Sequence, residues 1–151
     1  MGEQHTTKTH INWFPGHMAK TRRRILEDLK KVDAVAEMVD ARIPVSSRNP
    51  ELDELLLGKP RLVLFNKCDK ADPAVTAAWL KALNGQNTRA LALDCRSGKG
   101  VRAVAPAVKD LLCEKLAANA ARGMTGKPLR VMVVGIPNVG KSSFINGQKP
   151  R

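Results

Sequence analysis

Apolar positions follow two rhythms along this chain. Between residues 18 and 32, Met18, Ile25, Leu26, Leu29 and Val32 recur at helical spacing, while Lys20, Arg22, Arg23, Arg24, Lys30 and Lys31 occupy the other side. That pattern predicts an amphipathic helix with a basic face. Short apolar runs then recur at 34–39 (interrupted by Glu37), 61–65, 89–93 and 129–134, and each reads as a strand. Helical stretches separate them. Residues 51–57 form a short helix after a polar loop at 45–50. A helix from Pro73 to Leu83 has Asp72 as N-cap and Gly85 as its stop. Residues 101–121 read as one longer helix kinked near Pro106. Strands alternating with helices predict an α/β fold: a parallel sheet with right-handed crossovers, helices on both faces and ligand at the carboxyl ends of the strands.

Residues 1–10 read as a flexible polar tail, 11–146 as one domain and 147–151 as a disordered end. Aromatics are only 3% of the chain, so its core has to be built from aliphatic side chains. The net charge of +12 favours a polyanionic partner such as nucleic acid or a phosphate-rich ligand. Cys68, Cys95 and Cys113 are odd in number and form no C-x-x-C pair, which argues against a disulfide framework or a zinc site and fits a reducing cytoplasm. Residues 1–10 hold no apolar signal core, and no apolar run approaches membrane-spanning length, so no membrane role is expected.

Two motifs carry chemistry. Gly135-Ile136-Pro137-Asn138-Val139-Gly140-Lys141-Ser142 matches the phosphate loop G-x-x-x-x-G-K-S/T. Chance produces that pattern in roughly one chain in two hundred of this length, and here an apolar strand leads into it while Phe144 and Ile145 follow at helical positions. Glycines let backbone N–H groups converge on phosphate oxygens at a helix N-terminus. Lys141 is placed to bridge the outer phosphates and Ser142 to ligate magnesium. The bland alternative is a glycine-rich turn with no ligand. Asn66-Lys67-Cys68-Asp69 matches N-K-x-D, a pattern that reads guanine. One carboxylate, Asp69, can accept from both N1–H and the N2 amine of guanine, a donor pair that adenine lacks. Asn66 is placed to reach N7 and brace the phosphate loop, and the Lys67 stem to cover the ring. Alone this motif occurs by chance in roughly one chain in fifty, and it can be an ordinary polar turn. The turn beginning Asp94-Cys95-Arg96 aligns with the Ser-Ala-Lys turn of GTPases, where a backbone N–H meets guanine O6. An ordinary turn explains it equally well.

The order of the motifs, base reader before phosphate loop, is the reverse of the usual one and points to a circular permutation. With Trp13-Phe14-Pro15-Gly16-His17-Met18, Asp40-Ala41-Arg42-Ile43-Pro44 and Ser46-Ser47-Arg48-Asn49-Pro50, the chain resembles the RbgA/YlqF family of circularly permuted GTPases, which act in assembly of the large ribosomal subunit. The resemblance implies a P-loop GTPase-type three-layer fold and GTP or GDP as ligand. It implies nucleotide contacts from Asn66, Lys67, Cys68, Asp69, Asp94, Cys95, Asn138, Val139, Gly140, Lys141, Ser142 and Ser143. It further implies Mg2+ at Ser142, K+ at Asn138, a catalytic role for His17, and as partners a large-subunit precursor and its ribosomal RNA, met by a monomer. A helix-capping or RNA-facing role is the alternative for His17.

Family members continue past the phosphate loop through a threonine-bearing switch, a D-x-x-G motif and a C-terminal domain, none of which this sequence contains. The sheet is therefore expected to be incomplete, with about four strands and the strand at 129–134 as a poorly covered edge of marginal solubility. Guanine nucleotide is expected to bind weakly and GTP to be hydrolysed little. The rival reading is a non-catalytic RNA- or ribosome-binding module that keeps the nucleotide fold as scaffold.

Overall fold

The structure is a computed structural model that describes residues 18–48, 50–56, 58–124, 128–135 and 144–145. Helix α1 spans Met18–Leu29, strand β1 Ala34–Asp40, short helices α2 and α3 Pro44–Ser47 and Pro50–Leu55, and β2 Arg61–Asn66. Helix α4 spans Pro73–Leu83, β3 Thr88–Ala92, α5 Val104–Leu111, α6 Cys113–Ala121 and β4 Val131–Val134. The four strands form one sheet in the order β3-β2-β1-β4, and every pairing is parallel. All four carboxyl ends therefore lie along one rim.

Alternation along the strands sorts the core into two faces. Ala34, Ala36 and Met38 of β1 join Leu62 and Leu64 of β2 against Val104, Val108 and Leu112, with Phe144 in the same cluster. On the opposite face Val35, Met132 and Val134 pack with Ile25 and Leu29 of α1 and with Leu56. Further along, Val39, Val63, Phe65 and Ala90 meet Trp79, Leu80 and Leu83 of α4. The predicted three layers are present. β4 is an edge of the described sheet, as expected, and an apolar hollow of about 640 Å3 opens beside it between Val131, Val133, Phe144 and Val108. No helix among the described residues is long and apolar enough to cross a membrane.

Several local expectations change. Leu26 is 45% exposed, because the buried stripe of α1 runs through Ile25 and Leu29, and Leu26 lies about 100° round the helix from Ile25. The polar loop at 45–50 contains α2, which Pro44 opens with its preset φ. Asn84, not Gly85, closes α4: its Nδ2 donates to the Leu80 carbonyl (2.7 Å) and its Oδ1 accepts from the Ala90 amide (3.0 Å). The helix expected at 101–121 is divided at Leu112 rather than Pro106. Pro106 occupies the third position of α5, where a backbone N–H has no helical acceptor anyway. Leu112 leaves helical geometry (φ −105°, ψ 18°) and is buried against the sheet.

Glu37 does more than interrupt an apolar strand. It is 1% exposed, between Val63 and Val134 in the sheet register. Its Oε1 accepts from Arg61 Nη2 at 2.7 Å and Arg48 Nη2 at 3.2 Å, and its Oε2 accepts from Arg48 Nε at 3.3 Å. Asp53 Oδ1 accepts from both arginines as well, at 2.8 Å and 3.3 Å. Burial disfavours the Arg48 cation, yet the hydrogen bonds and charge of Glu37 prevail and raise its pKa. The network fastens α3 and the loop before it to the middle of the sheet.

Gly100 marks a close approach. Its φ is +81°, and an added Cβ would stand 2.6 Å from the Ala92 carbonyl oxygen and 3.2 Å from Leu93 Cα. Both neighbours are backbone and cannot turn aside. Gly100→Ala is expected to destabilise the fold by roughly 2–3 kcal/mol, from clash and left-handed strain together. Urea unfolding followed by circular dichroism measures it, and a loss below about 0.5 kcal/mol contradicts the tight fit.

Candidate functional site

The carboxyl-end rim gathers segments that are far apart in sequence. Asp40 and Asn66 end neighbouring strands in direct register. Beyond Asn66 the chain turns at Lys67, whose backbone is left-handed (φ 63°, ψ 34°), into a short 3-10 turn over Cys68–Lys70. Beyond β3, Leu93 N–H donates to the Phe65 carbonyl (2.9 Å) and Cys68 N–H to the Leu93 carbonyl (3.2 Å), lacing the two loops together. Asn66 is buried, and its Oδ1 accepts from the Cys95 amide at 3.0 Å. A cavity of about 320 Å3 results, lined by Asn66, Lys67, Asp69, Asp94, Cys95 and Arg96, with Lys70 at its margin.

The structure thus brings together the N-K-x-D segment and the Asp94-Cys95-Arg96 turn, with Asp69 exposed at the opening. Cys68 is half-buried and packs against the α4 cluster rather than lining the cavity. The amides of the turn are engaged within the protein: that of Cys95 donates to Asn66 Oδ1 (3.0 Å), and that of Arg96 donates to Asp94 Oδ1 (3.1 Å). Hydrogen bonds from the Ser97 hydroxyl and from the Arg96 and Ser97 amides hold the Asp94 carboxyl below its ordinary range despite burial. Burial, with the nearby Asp94 charge, pushes the Cys95 thiol up to about 11, so it stays protonated at neutral pH.

On the same rim β4 delivers Gly135, the first residue of the phosphate-loop motif, which is buried. Only β1 separates β4 from β2, so the two strand ends lie about 10 Å apart. Phe144 and Ile145, which follow the motif, pack against the α5 face of the sheet. His17, Asn138, Val139, Gly140, Lys141, Ser142 and Ser143 lie outside the described residues, so the expected metal and phosphate contacts rest on sequence.

Sequence reasoning missed Asp40 and Arg42 as parts of this rim. Asp40 is 3% exposed, and its backbone N–H donates to Ser47 Oγ (2.9 Å). Its Oδ1 accepts from the Arg42 amide (2.9 Å) and Arg42 Nε (3.0 Å), and its Oδ2 from Arg42 Nη2 (2.8 Å) and Lys67 Nζ (3.5 Å). The signal was available: two opposite charges stand at the carboxyl end of an otherwise apolar strand. The Arg42 hydrogen bonds lower the Asp40 pKa from 3.8 to about 2, against the opposing effect of burial. Because the folded pKa lies below the unfolded one, Asp40 stabilises the fold above pH 3.8, and that contribution disappears as pH falls through about 2. With the half-exposed Arg42 screened by water it is worth on the order of 1–2 kcal/mol. Asp40→Asn should lose that amount at neutral pH, with the difference from wild type closing between pH 3.8 and 2. Urea midpoints across that range measure it, and a pH-independent difference refutes the ion pair as its source.

The chain matches no protein-family model. It is 55% identical over 138 residues to a ribosome biogenesis GTPase A of Priestia megaterium, an alignment covering 90% of this chain and 48% of that protein. It is 41% identical over 135 residues to a mitochondrial ribosome-associated GTPase 1 of Mus musculus, covering 89% of this chain and 40% of that protein. The chain thus spans about half the length of the curated relatives it matches. Its fold superposes on a crystal structure of GNP-bound YlqF from T. maritima with a TM-score of 0.60 and 28% identity, over 87% of this chain and 49% of that one. A GDP-bound YlqF structure matches with a TM-score of 0.58 over 84% of this chain. Over the residues it spans, with the base-reading motif ahead of the phosphate loop, the chain belongs to the RbgA/YlqF family of GTPases.

Proposed function

We propose that the rim binds a guanine nucleotide and that the protein acts as a GTPase in maturation of the large ribosomal subunit. The observation that carries this reading is the cavity in which Asn66, Lys67, Asp69 and Asp94 converge, on the rim where β4 hands over to the phosphate-loop motif. In it the Asp69 carboxylate reads N1–H and the N2 amine, Lys67 lies along the ring, and Asn66, already bonded to Cys95, sets the cavity wall. On sequence grounds Lys141 and the loop from Asn138 through Val139 and Gly140 to Ser143 hold the phosphates, Ser142 carries magnesium and Asn138 potassium. His17 is assigned the catalytic role from the resemblance alone. The names of the relatives support a ribosomal partner. Ribosomal RNA in a large-subunit precursor, met by a monomer in the cytoplasm, is the form we assign to it.

The exposed cations Arg22, Arg23, Lys30 and Lys31 on and just after α1 favour a second reading, an RNA-binding module in which the nucleotide site is scaffold. Titration of the 151-residue chain with fluorescent GDP, GTP and ATP, with and without magnesium, tests the first reading. Guanine nucleotides should bind and ATP should not. Equal affinity for ATP, or no binding of any nucleotide, overturns it. Lys141→Ala then separates the readings: it should abolish function if the nucleotide matters, and leave RNA binding and function intact if the nucleotide site is scaffold.

A further inference from the structure

We propose that Asp40 is a positioning residue for guanine recognition, acting through the Lys67 ammonium and held in place by Arg42. The inference rests on the nucleotide reading above and adds to it a residue that touches no nucleotide.

The geometry follows from the ends of β1 and β2. Asp40 and Asn66 are register partners, so the carboxylate emerges beside the first residue of the base-reading loop. It is immobilised twice over. Ser47 Oγ accepts from its backbone amide, and the Arg42 guanidinium grips both of its oxygens. Such a fork fixes the plane of a carboxylate as well as its position. The oxygen left toward the neighbouring loop, Oδ2, faces Lys67 Nζ at 3.5 Å.

Lys67 needs holding. Its φ of 63° is the only positive value on a non-glycine among the described residues, and a side chain with that backbone is strained. Four rotatable bonds leave its ammonium many places to go in water. Its side chain is 29% exposed and lines the cavity. The Asp40 contact fixes the far end of a side chain that lines the cavity. The stem is then set to cover a purine face before any ligand arrives, which spares the ordering cost on binding. Arg42 ties the device to the other half of the reader as well, because the Asp69 charge helps to raise its pKa, after the hydrogen bond and charge of Asp40. The segment closing β1 thus contacts Lys67 through Asp40 and feels the charge of Asp69 through Arg42.

A double-mutant cycle on the 151-residue chain tests the device, with fluorescent GDP as probe. Lys67→Met keeps an apolar stem and removes the ammonium, and Asp40→Asn keeps the shape and removes the charge. Each should weaken GDP binding by about tenfold, and the pair together by no more than either alone. Losses that multiply in the double variant assign Asp40 a merely structural role and overturn the inference. If Asp40→Asn shows no cooperative unfolding transition, Arg42→Met, which releases the Asp40 carboxylate from its clamp, decides: a loss of GDP affinity that disappears in a Lys67→Met background supports the anchor, and an equal loss in both backgrounds refutes it. A wild-type chain that binds no GDP removes the nucleotide reading and this inference with it. A wild-type chain that binds GDP while both variants match it removes the inference only.

Discussion

Glu37→Ala is expected to cost about 3–5 kcal/mol, enough to leave much of the chain unfolded at neutral pH, given that domains of this size are stable by only about 5–15 kcal/mol. The reason is asymmetry. In the native fold two guanidinium groups share one carboxylate that is 1% exposed, and their own side chains are only 21% and 15% exposed. Removing the acid does not release them. Arg61 Nε is already buried without a partner, so this cation has no reserve of hydrogen bonds to draw on. Asp53 remains, but at 58% exposure it is a water-screened counterion and cannot replace the lost charge. Glu37→Gln keeps the volume and one acceptor, so its expected cost is smaller, about 2–3 kcal/mol. Urea unfolding at neutral pH measures both. Stability that falls by less than about 1 kcal/mol in Glu37→Ala shows that the arginines find water and that the network is ornamental. Added salt offers a second check: the difference between Glu37→Ala and wild type should hardly change, because the Debye atmosphere does not reach a buried pair.

Glu37 also shows where the sequence stops being legible. The apolar runs that became β1 to β4, the capped helix at Pro73–Leu83 and the alternation that puts the carboxyl ends of all four strands on one rim follow from local pattern, because a strand covered on both faces reads as continuous apolarity. The partner of a charge inside such a strand does not follow, since Arg48 and Arg61 are brought to Glu37 by strand pairing and by a loop 11 residues away. Leu112 is similar. A proline signals a helix break in any sequence, yet Pro106 is harmless in the first turn, and the division falls where Leu112 leaves helical geometry against the sheet. At the site, Asn66, Lys67, Asp69 and Asp94 were legible because N-K-x-D and the next strand-to-helix turn have fixed places in a parallel sheet. The engagement of the Cys95 amide by Asn66 was not, because it depends on how two loops lace together across β2 and β3. Asp40 and Arg42 carried a visible charge signal, but only the register of β1 with β2 shows that Asp40 faces Lys67.

Asp69→Asn is expected to lower GDP affinity by about a hundred- to a thousandfold while changing stability by less than about 0.5 kcal/mol. Asp69 is exposed and lines the cavity, and among the described residues no side-chain hydrogen bond ties its carboxylate to the fold. Its value on the present reading lies in one pairing: two oxygens accept two adjacent donors on the guanine edge. Asparagine supplies one acceptor and one donor, so one guanine N–H meets another N–H and the charge-assisted bond is lost. Two such bonds at about 1.5–3 kcal/mol each set the scale of the loss. The same change creates a complementary site for a base carrying a carbonyl in place of the 2-amine. Affinity for xanthosine diphosphate should therefore rise in Asp69→Asn as that for GDP falls, a reversal that simple damage to the loop cannot produce. Competition between the two diphosphates on wild type and variant reads it directly. If both affinities fall together the loop has been disturbed, and if neither moves Asp69 does not face the base.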